Sequence, residues 1–342
     1  MSTRSGVTSR DGARLAVGVV SFAHVHADGV ASALRGLAQV DFVGIYDEDA
    51  DRGRTAAATH SVPLHKTFES LLEKSQAVIL TSTNADHRRY TEAAASRGVH
   101  VLSEKPLATT LADATAMIDA CARAGVQLGL AFPVRSSPAV IALREAIASG
   151  QLGPIRAVRA TNPGQYPGRW FGDKKAAGGG AAMDHTVHAA DAIRWLLADE
   201  VTRVQAELGS FTYGLDVEDT GILTLDLASG GFASIDCSWS RPTTFPTWGG
   251  VTFHVVGERA TVDVDVFRQA LMHYDDTAGK TRVVGWGDDL TSRMIADFVD
   301  AILAGRPVPI DGTAGLRALE VVVAAYRSAD GHRPVEIAEL RA

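Results

Sequence analysis

Leu15-Ala-Val-Gly-Val-Val20 runs directly into Ser21-Phe-Ala-His-Val-His26, and a helical pattern then continues to Ala38. A short, nearly unbroken apolar run of this kind suits a strand buried on both faces. The unit repeats. Val40-Asp-Phe-Val-Gly-Ile-Tyr46 predicts a second strand ending at Asp47, and residues 77–80 and 99–102 predict two more, separated by a helix over 89–97. A helix over 111–123 leads to a fifth run at 126–131. Strands alternating with helices imply right-handed βαβ units and a parallel sheet. The result is a doubly wound α/β domain of Rossmann type, with its ligand crevice at the carboxyl ends of the strands.

The period changes after Ala131. Leu223, Leu225 and Leu227 alternate with Thr224 and Asp226, and Ala233, Ile235, Cys237 and Trp239 alternate with Ser234, Asp236 and Ser238. Alternation of this kind suits an antiparallel sheet with one wetter face. Residues 251–256 and 260–266, joined by Gly257-Glu-Arg259, predict a hairpin, and helices over 292–303 and 313–326 close the chain. Residues 1–131 are therefore expected to form a dinucleotide-binding domain. Residues 132–342 are expected to form an α+β domain with an open, mostly antiparallel sheet plus helices, serving substrate binding and oligomerisation.

The chain has 342 residues, 46% hydrophobic and 21% charged, with a formal net charge of -7. That composition is ordinary for a globular protein, and the mild negative charge argues against nucleic acid or an anionic membrane as partner. Two distant cysteines, Cys121 and Cys237, make a disulfide framework improbable and favour a reducing compartment. The polar start, Met1 to Arg14, lacks the apolar core of a secretion signal, and no stretch has the length of a membrane span. A cytoplasmic protein is expected.

A dinucleotide fingerprint places G-x-G-x-x-G between the first strand and its helix, so that the backbone approaches a pyrophosphate resting on the helix N-terminus. Ser21, Ala23 and His26 occupy those three positions, and none is glycine. Asp47 ends the second strand close to the spacing expected of the acid that binds the adenosine ribose. Glu48 and Asp49 follow it, which favours NAD over NADP, although Arg52 and Arg54 lie near enough to meet a 2′-phosphate.

Ala93-Ala-Ala-Ser-Arg-Gly-Val-His-Val-Leu-Ser-Glu-Lys-Pro106 follows at the ligand end of the sheet. It resembles the Glu-Lys-Pro phrase of the Gfo/Idh/MocA oxidoreductases. Thr83-Asn-Ala-Asp-His87, Phe132-Pro-Val-Arg135, Gly178-Gly-Gly-Ala-Ala-Met-Asp184 with His188, and the stretch from Phe298 through Gly305-Arg-Pro307 resemble further family motifs in the same order. The resemblance covers essentially the whole chain. It implies a nicotinamide-dependent dehydrogenase acting on a hydroxyl carbon of a sugar, sugar derivative or cyclic polyol, with NAD as cofactor and NADP as the alternative. It also implies that Lys105, Asp184 and His188 form the catalytic group. Ser21, Phe22, Ala23, His24, His26, Asp47, Thr81, Thr83, Asn84, His87, Glu104 and Lys105 would surround the dinucleotide.

Oxidising an alcohol needs a base for the hydroxyl proton, and an imidazole titrates near working pH without adjustment. His188 is thus the first candidate, with Lys105 as the second and Asp184 orienting substrate or imidazolium. At roughly 100° per residue, Asp184, His188, Asp191 and Trp195 fall on one stripe of a helix over 182–198. The three glycines before that helix are expected to let backbone approach a ligand. Arg135, Tyr166, Arg169, Trp170 and His185 are candidates for the substrate pocket. His24 with His26, and Asp184 with His185 and His188, raise a metal reading. His185 lies a quarter-turn away from Asp184, however, so no metal site is expected. A sensor that binds the dinucleotide without catalysis is the competing function. An uncovered sheet face in the second domain would mark a homodimer or homotetramer.

Overall fold

The computed structural model of the protein describes residues 12–341 apart from 246, 278, 286 and 288. The polar opening of the chain lies almost wholly outside the described residues. Strands β1 (Leu15–Val20), β2 (Val40–Tyr46), β3 (Ala77–Leu80), β4 (His100–Ser103) and β5 (Leu128–Leu130) alternate with helices α1 (Ala27–Gly36), α2 (Ala50–His60), α3 (Phe68–Leu72), α4 (His87–Ala95) and α5 (Leu111–Ala124). All five strands are parallel, in the order β2-β1-β3-β4-β5. A parallel bridge between Ile45 and Leu64 marks one further position beyond β2. The chain therefore reverses direction across the sheet between β1 and β3, the switch point where such folds bind ligands.

Burial on both faces explains the unbroken apolar strands. Val17, Val19 and Ile79 pack with α1 on one face, and Val20, Val78, Leu80 and Val101 pack under α4 and α5 on the other. Helix ends follow local chemistry. Thr110 caps α5 by accepting from the Asp113 N–H, and Gly125 ends it with a φ of 68°.

Helix α6 (Pro138–Ala148) and strand β6 (Ile155–Thr161) open the second half, followed by α7 (Lys174–Ala177) and α8 (Ala181–Leu197). Strands β7 (Val201–Gly209), β8 (Thr220–Leu227), β9 (Phe232–Asp236), β10 (Thr252–Gly257) and β11 (Thr261–Asp265) come next. The hairpin β12 (Ala270–Asp275) and β13 (Lys280–Gly285) precedes α9 (Leu290–Leu303), α10 (Gly312–Gly331) and β14 (Val335–Glu336). A seven-stranded sheet in the order β11-β10-β6-β9-β8-β7-β14 is antiparallel except at β6·β9. Its inner face packs on α6, α8 and α10 through Val158, Leu223, Leu225, Ile235 and Phe253. Its outer face leaves Ile222 and Phe232 more than half exposed.

Helix α9, from the second half of the chain, returns to the first domain. Its Met294, Ile295 and Phe298 join the core of β1 and α1. Among the described residues, no helix is long and apolar enough to cross a membrane.

Candidate active site

Three loops at the carboxyl ends of β1, β3 and β4 meet the start of α8. In the β1–α1 turn, Ser21 holds a φ of 69°, the left-handed backbone that the fingerprint normally gives to glycine. The strain is offset by a dense set of bonds. The Ser21 N–H donates to the Tyr46 carbonyl (2.7 Å), Thr81 Oγ1 donates to the Ser21 carbonyl (2.5 Å), and Ser21 Oγ donates to Glu48 Oε1 (2.8 Å). The turn keeps its glycine-like shape without a glycine.

Asp47 sits as expected at the end of β2, but its carboxylate is already engaged. It accepts from the Phe22 and Asp49 N–H groups, both at 2.8 Å, and from Arg52 at 2.9 and 2.7 Å, and its side chain is fully covered. The same guanidinium reaches Glu48 at 2.7 Å and Ser21 Oγ at 3.3 Å. A ribose would have to displace Arg52 before reaching Asp47. The Ser21–Glu48–Arg52 cluster was not legible as a unit in sequence, because nothing in the spacing shows which acid Arg52 covers.

The β3 loop contributes Asn84, whose Nδ2 donates to the Ala177 carbonyl (2.8 Å) while its Oδ1 is buried with no partner among the described residues. His87 donates from Nδ1 to the Pro106 carbonyl (3.0 Å), tying the β3 and β4 loops together. Thr83 turns to Asp86 at the start of α4 (2.8 Å). A turn with the fingerprint's shape and an orphaned amide oxygen in the crevice both fit a bound dinucleotide.

Glu104 and Lys105 follow β4, each about 3% exposed. Lys105 Nζ bonds a carboxylate oxygen of Asp184 and lies 3.2 Å from the Asp184 carbonyl. Trp239 Nε1 donates to the other carboxylate oxygen at 3.0 Å, and His185 Nε2 lies 3.2 Å from it. Burial alone would raise the Asp184 pKa. The Lys105 charge, His185 and the hydrogen bonds overcome that and hold it far below the usual carboxylate range. Sequence alternation marks Trp239 only as an inward-facing residue; its place at Asp184 depends on how the segment after β9 lies against α8.

His188, one turn along α8, shares this environment but has no hydrogen-bond partner among the described residues, and its Nδ1 is buried. Burial, then the Lys105 charge, pushes its pKa well below the ordinary imidazole value, so the ring is neutral.

The rest of the expected helix stripe diverges. Asp191 accepts both guanidinium arms of Arg135, and Trp195 lies under Arg144 and Arg135. Arg135 is thus held in an ion pair along α8 and is not brought to the cleft. His185 corrects the estimate from helix angles: adjacent side chains reach each other across the quarter-turn, and its Nδ1 also contacts the Cys237 carbonyl at 3.2 Å.

Of the loop aromatics, Tyr166 packs at a tilt against Trp239 (4.9 Å between centroids) and Tyr213 (5.1 Å). Trp170 reaches across the cleft, donating from Nε1 to the Ala23 carbonyl (3.0 Å) and stacking on Phe171 beside His24. The loop before α7 is therefore a strap from the second domain over the β1–α1 turn. Arg169, beside Trp170, has a φ of 54° and makes no contact with the cleft's charged group in the described hydrogen bonds.

The glycines before α8 admit close approach of other parts of the protein. A Cβ on Gly179 would lie 1.8 Å from the Tyr326 hydroxyl oxygen, and one on Gly180 would lie 1.9 Å from the Glu218 carbonyl. Glu218 accepts from the Gly180 and Ala182 N–H groups (both 2.9 Å) and from Tyr326 (2.8 Å), supplying the carboxylate that a helix start favours.

A parallel sheet with its switch point under a pyrophosphate-shaped turn, facing a buried lysine–aspartate pair and a neutral histidine, defines a dinucleotide-dependent oxidoreductase. Residues 15–132 match the family model described as "Oxidoreductase family, NAD-binding Rossmann fold", and residues 140–263 match the GFO/IDH/MocA C-terminal domain. The chain belongs to the Gfo/Idh/MocA family, and its cofactor is NAD(P). It is 35% identical over 189 residues to 1,5-anhydro-D-fructose reductase of Ensifer adhaerens, an alignment covering 54% of this chain and 57% of that protein. It is 27% identical to D-apiose dehydrogenase of Paraburkholderia graminis, covering 100% of this chain and 93% of the relative. The solved structure of GenD2 from gentamicin A biosynthesis, in complex with NAD, superposes with a TM-score of 0.87 at 26% identity, covering 97% of this chain and 99% of that one.

Proposed function

We propose that the protein transfers a hydride between a hydroxyl-bearing carbon of a sugar, sugar derivative or cyclic polyol and the nicotinamide, with NAD preferred. The observation that carries this reading is the juxtaposition of the buried Lys105–Asp184 pair with neutral, unpartnered His188 at the crevice. Bound nicotinamide supplies the hydride acceptor. Lys105 holds the substrate oxygen with its one remaining N–H, anchored by Asp184 so that its charge faces the reacting hydroxyl. His188, neutral at working pH, accepts the hydroxyl proton. A cation fixed beside the oxygen favours alkoxide character as the hydride departs, and the strap carrying Trp170 keeps water from the reacting carbon.

The substrate class is supported by relatives named as a sugar-derivative reductase and as apiose, xylose and inositol dehydrogenases. The sensing alternative draws no support from them. Preference for NAD is supported by the charge balance at the end of β2, where Asp47 and Glu48 share the single guanidinium of Arg52 and Asp49 adds a third acid, leaving net negative charge against a 2′-phosphate. We place the protein in the cytoplasm as a homodimer or homotetramer, joined through the outer face of the seven-stranded sheet.

Titration of the protein's fluorescence with NADH and NADPH, followed by a screen of sugars and polyols for NAD+ reduction, tests this. Tighter NADH binding with turnover of at least one polyhydroxylated substrate is expected. Absence of binding by either nucleotide would overturn it.

A further inference from the structure

The β1–α1 turn brings two histidines against a buried carboxylate, at the edge of the crevice expected to hold the dinucleotide. One ring nitrogen from each of His24 and His26 and a carboxylate oxygen of Glu104 all lie within 4.8 Å of one another. His26 Nδ1 and Glu104 Oε1 are already 3.1 Å apart. His24 is 2% exposed and Glu104 3%, while the His26 side chain is 38% exposed and forms the mouth of the cluster.

Two features point to a ligand. His24 Nε2 is buried with no partner among the described residues, and its Nδ1 has only a long contact, 3.2 Å, from the His26 N–H. A cation seated among the three side chains would take the lone pair of the His24 ring nitrogen that faces them. Secondly, the two imidazoles and the carboxylate form a donor set that suits a dication of the zinc type. At metal–ligand distances of about 2.1 Å, donors of a tetrahedral site stand roughly 3.4 Å apart. The donor atoms, all within 4.8 Å of one another, lie near that spacing, and the part-exposed His26 leaves a fourth position open to water.

We propose that His24, His26 and Glu104 form a binding site for a single Zn2+-class cation at the base of the β1–α1 turn. The cation would pin that turn to the β4 loop, next to Lys105. The donor states agree with this. Burial keeps His24 neutral, so its ring has a lone pair to give, and the His26 contact and the Lys105 charge hold Glu104 ionised against the opposing effect of burial. The inference rests on the three side chains alone and does not depend on the substrate reading.

Metal-stripped protein titrated calorimetrically with ZnCl2, and separately with CoCl2 while its visible absorption is followed, tests the site. One equivalent of Zn2+ per chain is expected, with Co2+ developing the absorption of a nitrogen–oxygen ligand set. His26→Ala and Glu104→Gln should each weaken Zn2+ binding by about 10-fold or more, given that even outer-shell partners move metal affinity by that much. His26→Ala alters a part-exposed side chain, so its unchanged circular dichroism would separate loss of a ligand from loss of fold. Failure to bind stoichiometric Zn2+, or equal binding in both variants, would overturn the proposal. The second result would assign the metal to a surface pair such as His254 and Asp263.

Discussion

Asp184 and His188 stand one turn apart on α8, both nearly sealed from water, yet burial acts on them with opposite results. Asp184 has Lys105, His185 and Trp239 within hydrogen-bond reach, so its charge survives desolvation. His188 has no such partner, so the same burial removes its charge. An unfolded histidine takes up a proton near pH 6.5, whereas the folded ring does so only at lower pH. The unfolded state therefore binds more protons as pH falls through 6.5, and His188 withdraws stability on the acid side. The neutral base persists below 6.5, so the acid limb of kcat/KM for alcohol oxidation should have its midpoint below that value. A midpoint at or above 6.5 would sink the assignment. His188→Ala should leave NADH affinity intact and lower kcat by about 10²–10⁴; near-normal turnover would transfer the role to Lys105.

At the scale of elements, the start of α8 is the critical joint. Glu218, before β8, accepts from the N–H groups of Gly180 and Ala182 and is itself held by the Tyr326 hydroxyl of α10, fixing the angle at which Asp184 meets Lys105. Burial raises the Glu218 pKa, while its bonds to Tyr326 and the two amides oppose the rise. No side chain fits at Gly180, because the obstruction is a backbone carbonyl that cannot rotate away. Gly180→Ala should destabilise the protein by about 1–3 kcal/mol through overpacking. At roughly 2–4 °C per kcal/mol for a large domain, the melting temperature registers that loss. An unchanged melting temperature would mean that α8 shifts freely and that Glu218 does not set its position.

For the whole molecule, the outer face of the second sheet remains to be covered. Ile222 and Phe232 stand 57% and 55% exposed on neighbouring strands that pair Ile222 with Asp236 and Asp226 with Phe232. Large apolar side chains left exposed on an uncovered sheet face favour association. Light scattering at micromolar concentration should give a multiple of the 36.1 kDa chain mass, and the double variant Ile222→Asp, Phe232→Asp should lower it. A wild-type mass of one chain would refute the assembly.

Strands β2 and β3 fall on the residues the sequence indicates, and α8 is displaced by a single residue, because continuous burial and helical periodicity are local properties written into consecutive residues. The second sheet was legible where alternation is regular, at β8 to β11. It was silent at β7, where a bulge between Val201 and Arg203 breaks the period. Sequence alone also brought forward Lys105, Asp184 and His188, since an uncommon Glu-Lys-Pro phrase and a helical spacing are both readable along the chain. What tertiary structure decided was the partner of each group. Arg135 goes to Asp191, Arg52 covers Asp47, Trp170 crosses to Ala23, and Glu104 meets the two histidines of the first turn. A charged or aromatic side chain shows its chemistry in sequence, but its pairing depends on which distant strands and helices the packed core sets side by side.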